Sequence, residues 1–370
     1  MHVFSADILR RQIEAVLAAW GLPEERCKLM SGLMIEADLR GIDSHGIGML
    51  PHYETRRLAG LVFPDATPEV VTDNPAFCIV DAGHGLGHAA GAMAMRMAIE
   101  KAKNTAVGLG LVKRSNHYGA AGVYATMASD QGLIGISMTG TSQRSIVPTF
   151  AKEPMYSTNP IACAVPAGER PAFVLDMATS TVAVGKLDIY RRLGQSLPAG
   201  WALDEDGGIR TDAQAAFDAR PRRMTPLGGD RERGSHRGYG LAIMVDILSS
   251  VLTGSWFGAH DLKTGKTGQH HNIGSFFLAI DPEFFRDEGA DFEGDMDALI
   301  DTLKATPPAD HSQPVMVAGE PEKIAKIKRE KDGIPISDTL LEELRKASET
   351  SGAAYLPGVV VMTRSRKLRH

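Results

Sequence analysis

The first twenty residues set a helical pattern. Ile8, Leu9, Ile13, Val16, Leu17 and Trp20 recur at three- and four-residue steps, which makes one face of a helix apolar. Ser5 stands where an N-cap is needed, and Gly21 with Pro23 ends the run. A second helix carries Cys27, Met30 and Met34 on one side and stops near Arg40–Gly41, before a polar turn, DSHG, at 43–46. Past residue 76 the pattern changes. FCIVDA (77–82), VGLGLVKR (107–114), LIGISM (133–138), FVLDM (173–177) and GSFFLAI (274–280) are short apolar runs bounded by turn residues, and they read as strands. Between them lie a helix through Met93, Met97 and Ile99, a short helix at 120–130 opened by SNHYG (115–119), and a helix after FVLDM. A long apolar helix at 238–254 reads as buried. Amphipathic helices recur at 293–304, 320–331 and 337–350, and they are expected to pack back on the N-terminal helices. Strands and helices interleave, so the fold class is α/β or α+β.

Composition adds limits. With 370 residues, 43% hydrophobic and 23% charged, the chain is ordinary globular protein of two or three domains. A net charge of −5 gives no reason to expect nucleic acid or an anionic membrane as a partner. No apolar run approaches the roughly 20 residues that cross a bilayer, and the N-terminus lacks the layout of a signal peptide. Cys27, Cys78 and Cys163 are far apart. They read as reduced thiols of a cytoplasmic protein.

One segment imitates a dinucleotide-binding turn. Gly85-Leu86-Gly87-His88-Ala89-Ala90 approximates G-x-G-x-x-A between a strand and a helix. The next strand, however, ends in Lys113-Arg114, where that fingerprint needs an acid for the ribose. The preferred reading is a tight strand-to-helix turn whose glycines permit close packing. His84 and His88 are four apart but have no third ligand nearby in sequence, so no metal is expected.

Other polar groups are better placed for chemistry. Asp43, Ser44 and His45 share one short loop, where a histidine can pass protons and Ser44 or Asp43 can fix its tautomer. Asn116, His117 and Tyr118 lie just beyond a strand end, where ligands gather in α/β proteins; Ser115 or Asn116 can equally cap the helix that follows. Asp176 ends a strand, and Thr179 and Ser180 are expected at the N-terminus of the next helix, where an anion binds, with Lys186 two turns on. SHRGYG (235–240) is a second glycine-flanked polar turn.

At these motifs the chain resembles the malate/L-lactate dehydrogenase family, whose fold is not Rossmann. The stretches that carry the resemblance are RGIDSHGIGMLPHY (40–53), SNHYGAAGVYA (115–125), STNPIACAVP (157–166), VLDMATSTVAVGK (174–186), LPAGWALDEDG (197–207), HRGYGLAIMVDIL (236–248), AGEPE (318–322) and DGIPI (332–336). They run in order along nearly the whole chain. The resemblance implies a mixed-sheet α/β fold with helical terminal segments packed together. It also implies a homodimer that moves a hydride between a nicotinamide cofactor, NAD or else NADP, and a small 2-hydroxy or 2-keto acid. The expected division is a discontinuous substrate-side and dimerisation domain, 1–118 with 295–370, and a nucleotide-binding domain, 119–294. By motif, His45 corresponds to the acid/base histidine and His117 to a second histidine that is the proton acceptor in some members. Thr141, Asp176, Met177, Ala178, Ser180, His236, Arg237, Gly319 and Glu320 fall where relatives contact the nucleotide, and Arg237 stands where many relatives have lysine. Ser44, His52 and Arg144 are the expected substrate contacts, with Arg40 a further candidate for the substrate carboxylate. Many relatives have an arginine at the place of Met49, and FAKEP (150–154) replaces a common glycine-rich turn, so substrate identity is less defined than reaction type. The same fold also serves reductases of cyclic imino acids and of aromatic 2-keto acids. The rivals from other classes are a metal-dependent hydrolase or lyase using His84 and His88, and a non-catalytic nucleotide-binding regulator.

Overall fold

A computed structural model of the protein describes residues 2–140, 144–260 and 271–357. In chain order the elements are β1 (His2–Phe4), α1 (Ala6–Ala19), α2 (Glu24–Leu39), a 3-10 turn (Ile47–Met49), α3 (Leu50–Leu58), β2 (Glu69–Asp73), β3 (Phe77–Asp81), α4 (Gly87–Thr105), β4 (Val107–Ser115), α5 (Gly122–Ser129) and β5 (Ile134–Thr139). Then come β6 (Ile161–Val165), β7 (Phe173–Met177), α6 (Val184–Arg192), β8 (Ala202–Leu203), β9 (Ile209–Arg210), α7 (Ala213–Asp218) and α8 (Ser235–Val245), which runs into a π-helical turn (Asp246–Val251). The last are β10 (Ile273–Ile280), α9 (Phe292–Lys304), α10 (Glu320–Asp332), β11 (Ile334–Ile336) and α11 (Asp338–Ser351).

The chain forms two compact units. One takes the chain up to Asp65 together with the chain from Glu320 onward, and the other is Ala66–Gly319. In the first, β1 pairs antiparallel with β11. Ser5 caps α1 by accepting the Ile8 N–H, and Ile8, Leu9, Ile13, Val16 and Leu17 are buried, as the spacing required. The buried Gln12 side chain donates to Ser348 in α11 (3.0 Å) and accepts from the Leu356 N–H (2.7 Å). These bonds join the two ends of the chain inside one core.

The second unit is built on a seven-stranded sheet of order β2-β3-β4-β10-β5-β6-β7. Only β3 and β4 run parallel, joined through α4; every other neighbouring pair is antiparallel. The close approach of α4 to β4 depends on glycine. A Cβ on Gly108 or Gly110 would overlap the carbonyls of Ala98 or Ala94. A smaller core gathers Ile146, Tyr156, Leu187, Leu197 and Met224 around α6, α7 and α8.

The division falls at 65/66 and 319/320, not at the expected 118/119 and 294/295. Residues 69–115 supply three strands to the same sheet as β5–β7. Helix α9 is tied there too, because the Asp297 carboxylate accepts the N–H groups of Gly168, Glu169 and Arg170. So two of the three C-terminal helices, α10 and α11, join the N-terminal helices, and α9 does not. The apolar segment 238–254 is not a single buried helix either. It breaks into α8 and the π turn, and Ile243, Met244, Ile247, Val251 and Leu252 are exposed. No helix among the described residues is long and apolar enough to cross a membrane.

Candidate active site

In the first unit the chain leaves α2 into the 43–47 turn. The His45 N–H donates to Ile42 O (2.9 Å), and the half-buried His45 ring places Nδ1 2.8 Å from Ser44 Oγ. Ser44, not Asp43, therefore orients the imidazole. The Asp43 carboxylate is instead gripped by Arg329 of α10. Burial lowers the His45 pKa and so favours the neutral ring. Of the expected substrate cations in this unit, Arg40 is committed to Glu36 (2.7 Å), which also accepts from Lys326. His52 is exposed on α3, and Met49 is half-buried at the end of the 3-10 turn.

One residue that bears on this turn, Asp38 of α2, belongs to none of the sequence motifs. Asp38 is 2% exposed, and its Oδ2 accepts the Ile47 N–H at 2.8 Å. Burial pushes its carboxyl pKa up to about 7, with the Asp43 charge adding to the rise; the Ile47 N–H and Arg329 act the other way. Its helical spacing from Cys27, Met30 and Met34 was the available signal. An acid that continues an apolar face falls on the buried side, where it needs a hydrogen-bond partner.

In the second unit the glycine turn after β3 is occupied by its own chain. Gly83 N–H donates to Asp81, His84 N–H to Arg114 O, Gly85 N–H to Ala82 O and Gly87 N–H to His117 O. A Cβ on Gly87 would come within 2.6 Å of Asn116 O and 2.7 Å of Tyr118 Cβ. These donors are spent within the turn, on Arg114 and on His117, so the turn is not a pyrophosphate cradle. Arg114, where a ribose-binding acid was sought, pairs with Asp81 at 2.8 Å. His84 Nδ1 meets His271 O (2.9 Å), and His88 is buried in the first turn of α4. Among the described residues no three His, Cys, Asp or Glu side chains come together as a metal site would require.

That loop presents His117. Gly119 N–H donates to His117 Nδ1 (3.3 Å), which puts the proton of the neutral ring on Nε2. Neither Ser115 nor Asn116 caps the following helix. Asn116 donates to His84 O (2.8 Å), Ser115 to Asn116 O, and α5 begins only at Gly122. The Gly122 N–H donates to Asp176 Oδ2 at 2.7 Å. This bond joins the end of β7 to the helix behind His117, so the structure brings these two motifs together.

Met177 closes β7 opposite Ile161, and Ala178 turns away from the sheet, half-buried. Thr179 and Ser180 do not enter a helix, since α6 starts at Val184. Thr179 is buried and donates to the carbonyls of Thr158 and Asn159, while Ser180 donates to Val182 O (2.9 Å). The expected anion site at a helix start is therefore absent at these two hydroxyls. Gly319, at φ +96°, lies against Val174 of β7, two residues before Asp176, and Glu320 opens α10 in the other unit.

His236 and Arg237 are exposed in the first turn of α8. No side chain caps this helix: Gly234 precedes it in a left-handed conformation, and Gly238 lets it pack on Leu227, whose backbone a Cβ would overlap. Arg231 lies 3.0 Å from His236 Nδ1, so the ring nitrogen accepts there. Local desolvation, then the charges of Arg231 and Arg237, lower the His236 pKa. Arg144 is half-buried, and Thr141 lies outside the described residues.

Three comparisons bear on this arrangement. The family described as malate/L-lactate dehydrogenase matches residues 4–345. The chain is 39% identical to the malate dehydrogenase of Pyrococcus horikoshii over 351 residues, 95% of this chain and 96% of the relative. It is 36% identical to the L-sulfolactate dehydrogenase of Methanocaldococcus jannaschii over 343 residues, 93% of this chain and 95% of that one. Its fold superposes on the crystal structure of malate dehydrogenase from Entamoeba histolytica with a TM-score of 0.88 at 33% identity, covering 95% of this chain and 98% of the other.

Proposed function

The chain belongs to the malate/L-lactate dehydrogenase family, oxidoreductases of CH–OH donors, and we propose that it interconverts a small 2-hydroxy acid and its 2-keto acid with NAD, using His45 as proton carrier. The observation that carries the proposal is the orientation of the two motif histidines. Each ring is engaged locally through Nδ1, His45 by Ser44 and His117 by the Gly119 N–H. We assign Nε2 of each ring to proton exchange, with Nδ1 serving to orient it. Oxidation needs a base for the hydroxyl proton, and a neutral His45 is ready to take it. In reduction the protonated His45 ring returns the proton to the carbonyl oxygen, and His117 is the second histidine we assign to catalysis. Arg40 being tied to Glu36, we assign the substrate carboxylate to Arg144, with Ser44 and His52 as polar contacts.

The donors of the second unit suit a nicotinamide dinucleotide. The start of α8, with Arg231, Arg233 and Arg237 close to it in sequence, offers positive charge to a diphosphate. Thr141, Asp176, Met177, Ala178, Ser180, His236, Arg237, Gly319 and Glu320 are the residues we assign to it. When bound, the nicotinamide supplies or takes the hydride. The protein's part is position, a proton and charge. We further assign the enzyme to the cytoplasm, as a homodimer. Three unpaired cysteines fit a reducing compartment, and the exposed apolar stripe from Ile243 to Leu252 fits a covered face.

The test is a 340 nm screen of 2-keto acids against NADH and NADPH, followed by His45→Ala. That variant should lose roughly 100- to 10,000-fold in kcat in both directions, the range for losing a general acid/base, and should still bind NADH. Near-normal turnover with an unchanged pH profile would remove His45 from the mechanism.

A further inference from the structure

The 43–47 turn has no side-chain cap of its own; the 3-10 turn that follows starts from Gly46 without one. Besides the backbone bond from the His45 N–H to Ile42 O, two groups outside it hold its shape. Before His45, Arg329 of α10 binds the Asp43 carboxylate, and the same guanidinium donates to Asp38 O (2.6 Å) at the end of α2. After His45, the carboxylate of Asp38 accepts the Ile47 N–H, and Gly46 packs so closely on it that a Cβ would overlap both carboxylate oxygens. His45 is the residue between these two grips, adjacent to Gly46. The side chain of Asp38 is sequestered beneath the turn, so a buried polar atom is committed to this one backbone contact.

We propose that Asp38 is a positioning residue for the proton carrier: its buried side-chain oxygen fixes the 46–47 backbone and thereby sets where the His45 ring points. The inference rests on the reading of His45 given above. Asp38 takes no proton from substrate and makes no contact with it; it acts through the turn. What matters is then an acceptor of the right reach, which asparagine also supplies and alanine does not. A ring displaced by about 1 Å loses on the order of a hundredfold in rate, because proton transfer demands hydrogen-bond reach.

The experiment uses the full chain and the keto acid of the screen that the wild type reduces fastest. Asp38→Ala should lower kcat 10- to 100-fold in both directions and displace the pH profile of kcat/KM, while the Kd for NADH, read by fluorescence, stays within about twofold. Asp38→Asn should restore kcat to within about threefold of wild type. A residue of merely structural importance would lower the melting temperature or the active fraction, with kcat per active site and pH profile intact. Should Asp38→Ala fail to fold, Gly46→Ala decides the matter, since it drives the turn off Asp38 while leaving Asp38 in place; the same loss of kcat is expected. Wild-type kcat and pH profile in Asp38→Ala, or in Gly46→Ala, overturn the inference. So does an Asp38→Asn enzyme as slow as Asp38→Ala. If those results come with an inactive His45→Ala, the inference alone has failed; an active His45→Ala shows instead that the proton carrier was misassigned.

Discussion

Replacing Asp38 by asparagine should change how stability depends on pH, and the size follows from burial. The carboxyl titrates near 7 in the folded protein, against 3.8 for an unperturbed aspartate. Between those values the unfolded chain gives up the proton and the folded chain keeps it. Stability from this group is thus fully present below about pH 4 and is lost as pH rises through about 7. Roughly three pH units at about 1.4 kcal/mol each give a loss of about 4 kcal/mol. Asparagine titrates in neither state, so the variant should gain on the wild type by about 4 kcal/mol between pH 4 and pH 7.5. The absolute difference at any one pH also contains a roughly constant cost of about 1–3 kcal/mol if the amide N–H2 finds no partner; the slope is free of it. The folded pKa of Asp246, raised to about 6 by burial, acts in the same direction in both proteins and cancels. The assay is urea unfolding from pH 4 to 7.5 at one protein concentration, since association would also shift the midpoints. A difference that stays flat with pH, or that falls as pH rises, refutes the reasoning.

Gly108→Ala should destabilise the second unit by about 1–3 kcal/mol, the usual scale of overpacking, because the new Cβ overlaps the Ala98 carbonyl; an unchanged melting temperature would mean that α4 gives way freely. Asn116→Ala removes the donor to His84 O and should cost about 1–3 kcal/mol for the acceptor left behind, with a fall in kcat because the same loop carries His117; a drop in stability with kcat untouched would separate the loop from catalysis. Cys78 is fully buried and its thiol is pushed up to about 11 by burial, so Ellman's reagent should titrate fewer than three thiols in the native protein and all three after denaturation. Full and rapid native reaction would contradict that burial.

Local pattern carried much of the fold. The α1 stripe, its Ser5 cap, β3, β4 and the glycine turn were legible because each depends on neighbours within a few residues. The domain division was not, because it depends on β10 pairing with both β4 and β5 across more than a hundred residues. The exposed side of 243–252 was hidden for a different reason. A segment apolar all round does not say which side the protein itself covers. In the candidate site, DSHG and NHYG carry the two histidines proposed for catalysis. The helix start expected at Thr179 and Ser180 comes later, at Val184, because their hydroxyls bond to nearby carbonyls. Asp38 belongs to no motif, and only its spacing from Met30 and Met34 put it on the buried side.

The sheet order also bears on how the chain reaches this state during synthesis. When residues up to 177 have left the ribosome, β2-β3-β4 and β5-β6-β7 can each form, but no strand pairs one with the other. The strand that closes the gap, β10, lies about a hundred residues further on, and β11, the partner of β1, comes later still. Until then two half-sheets present open edges at β4 and β5, the kind of surface that recruits other chains. A nascent chain of this topology spends a large part of its translation with its widest hydrogen-bonding surface unfinished, so its yield should depend on chaperone cover and translation speed more than its final stability would suggest.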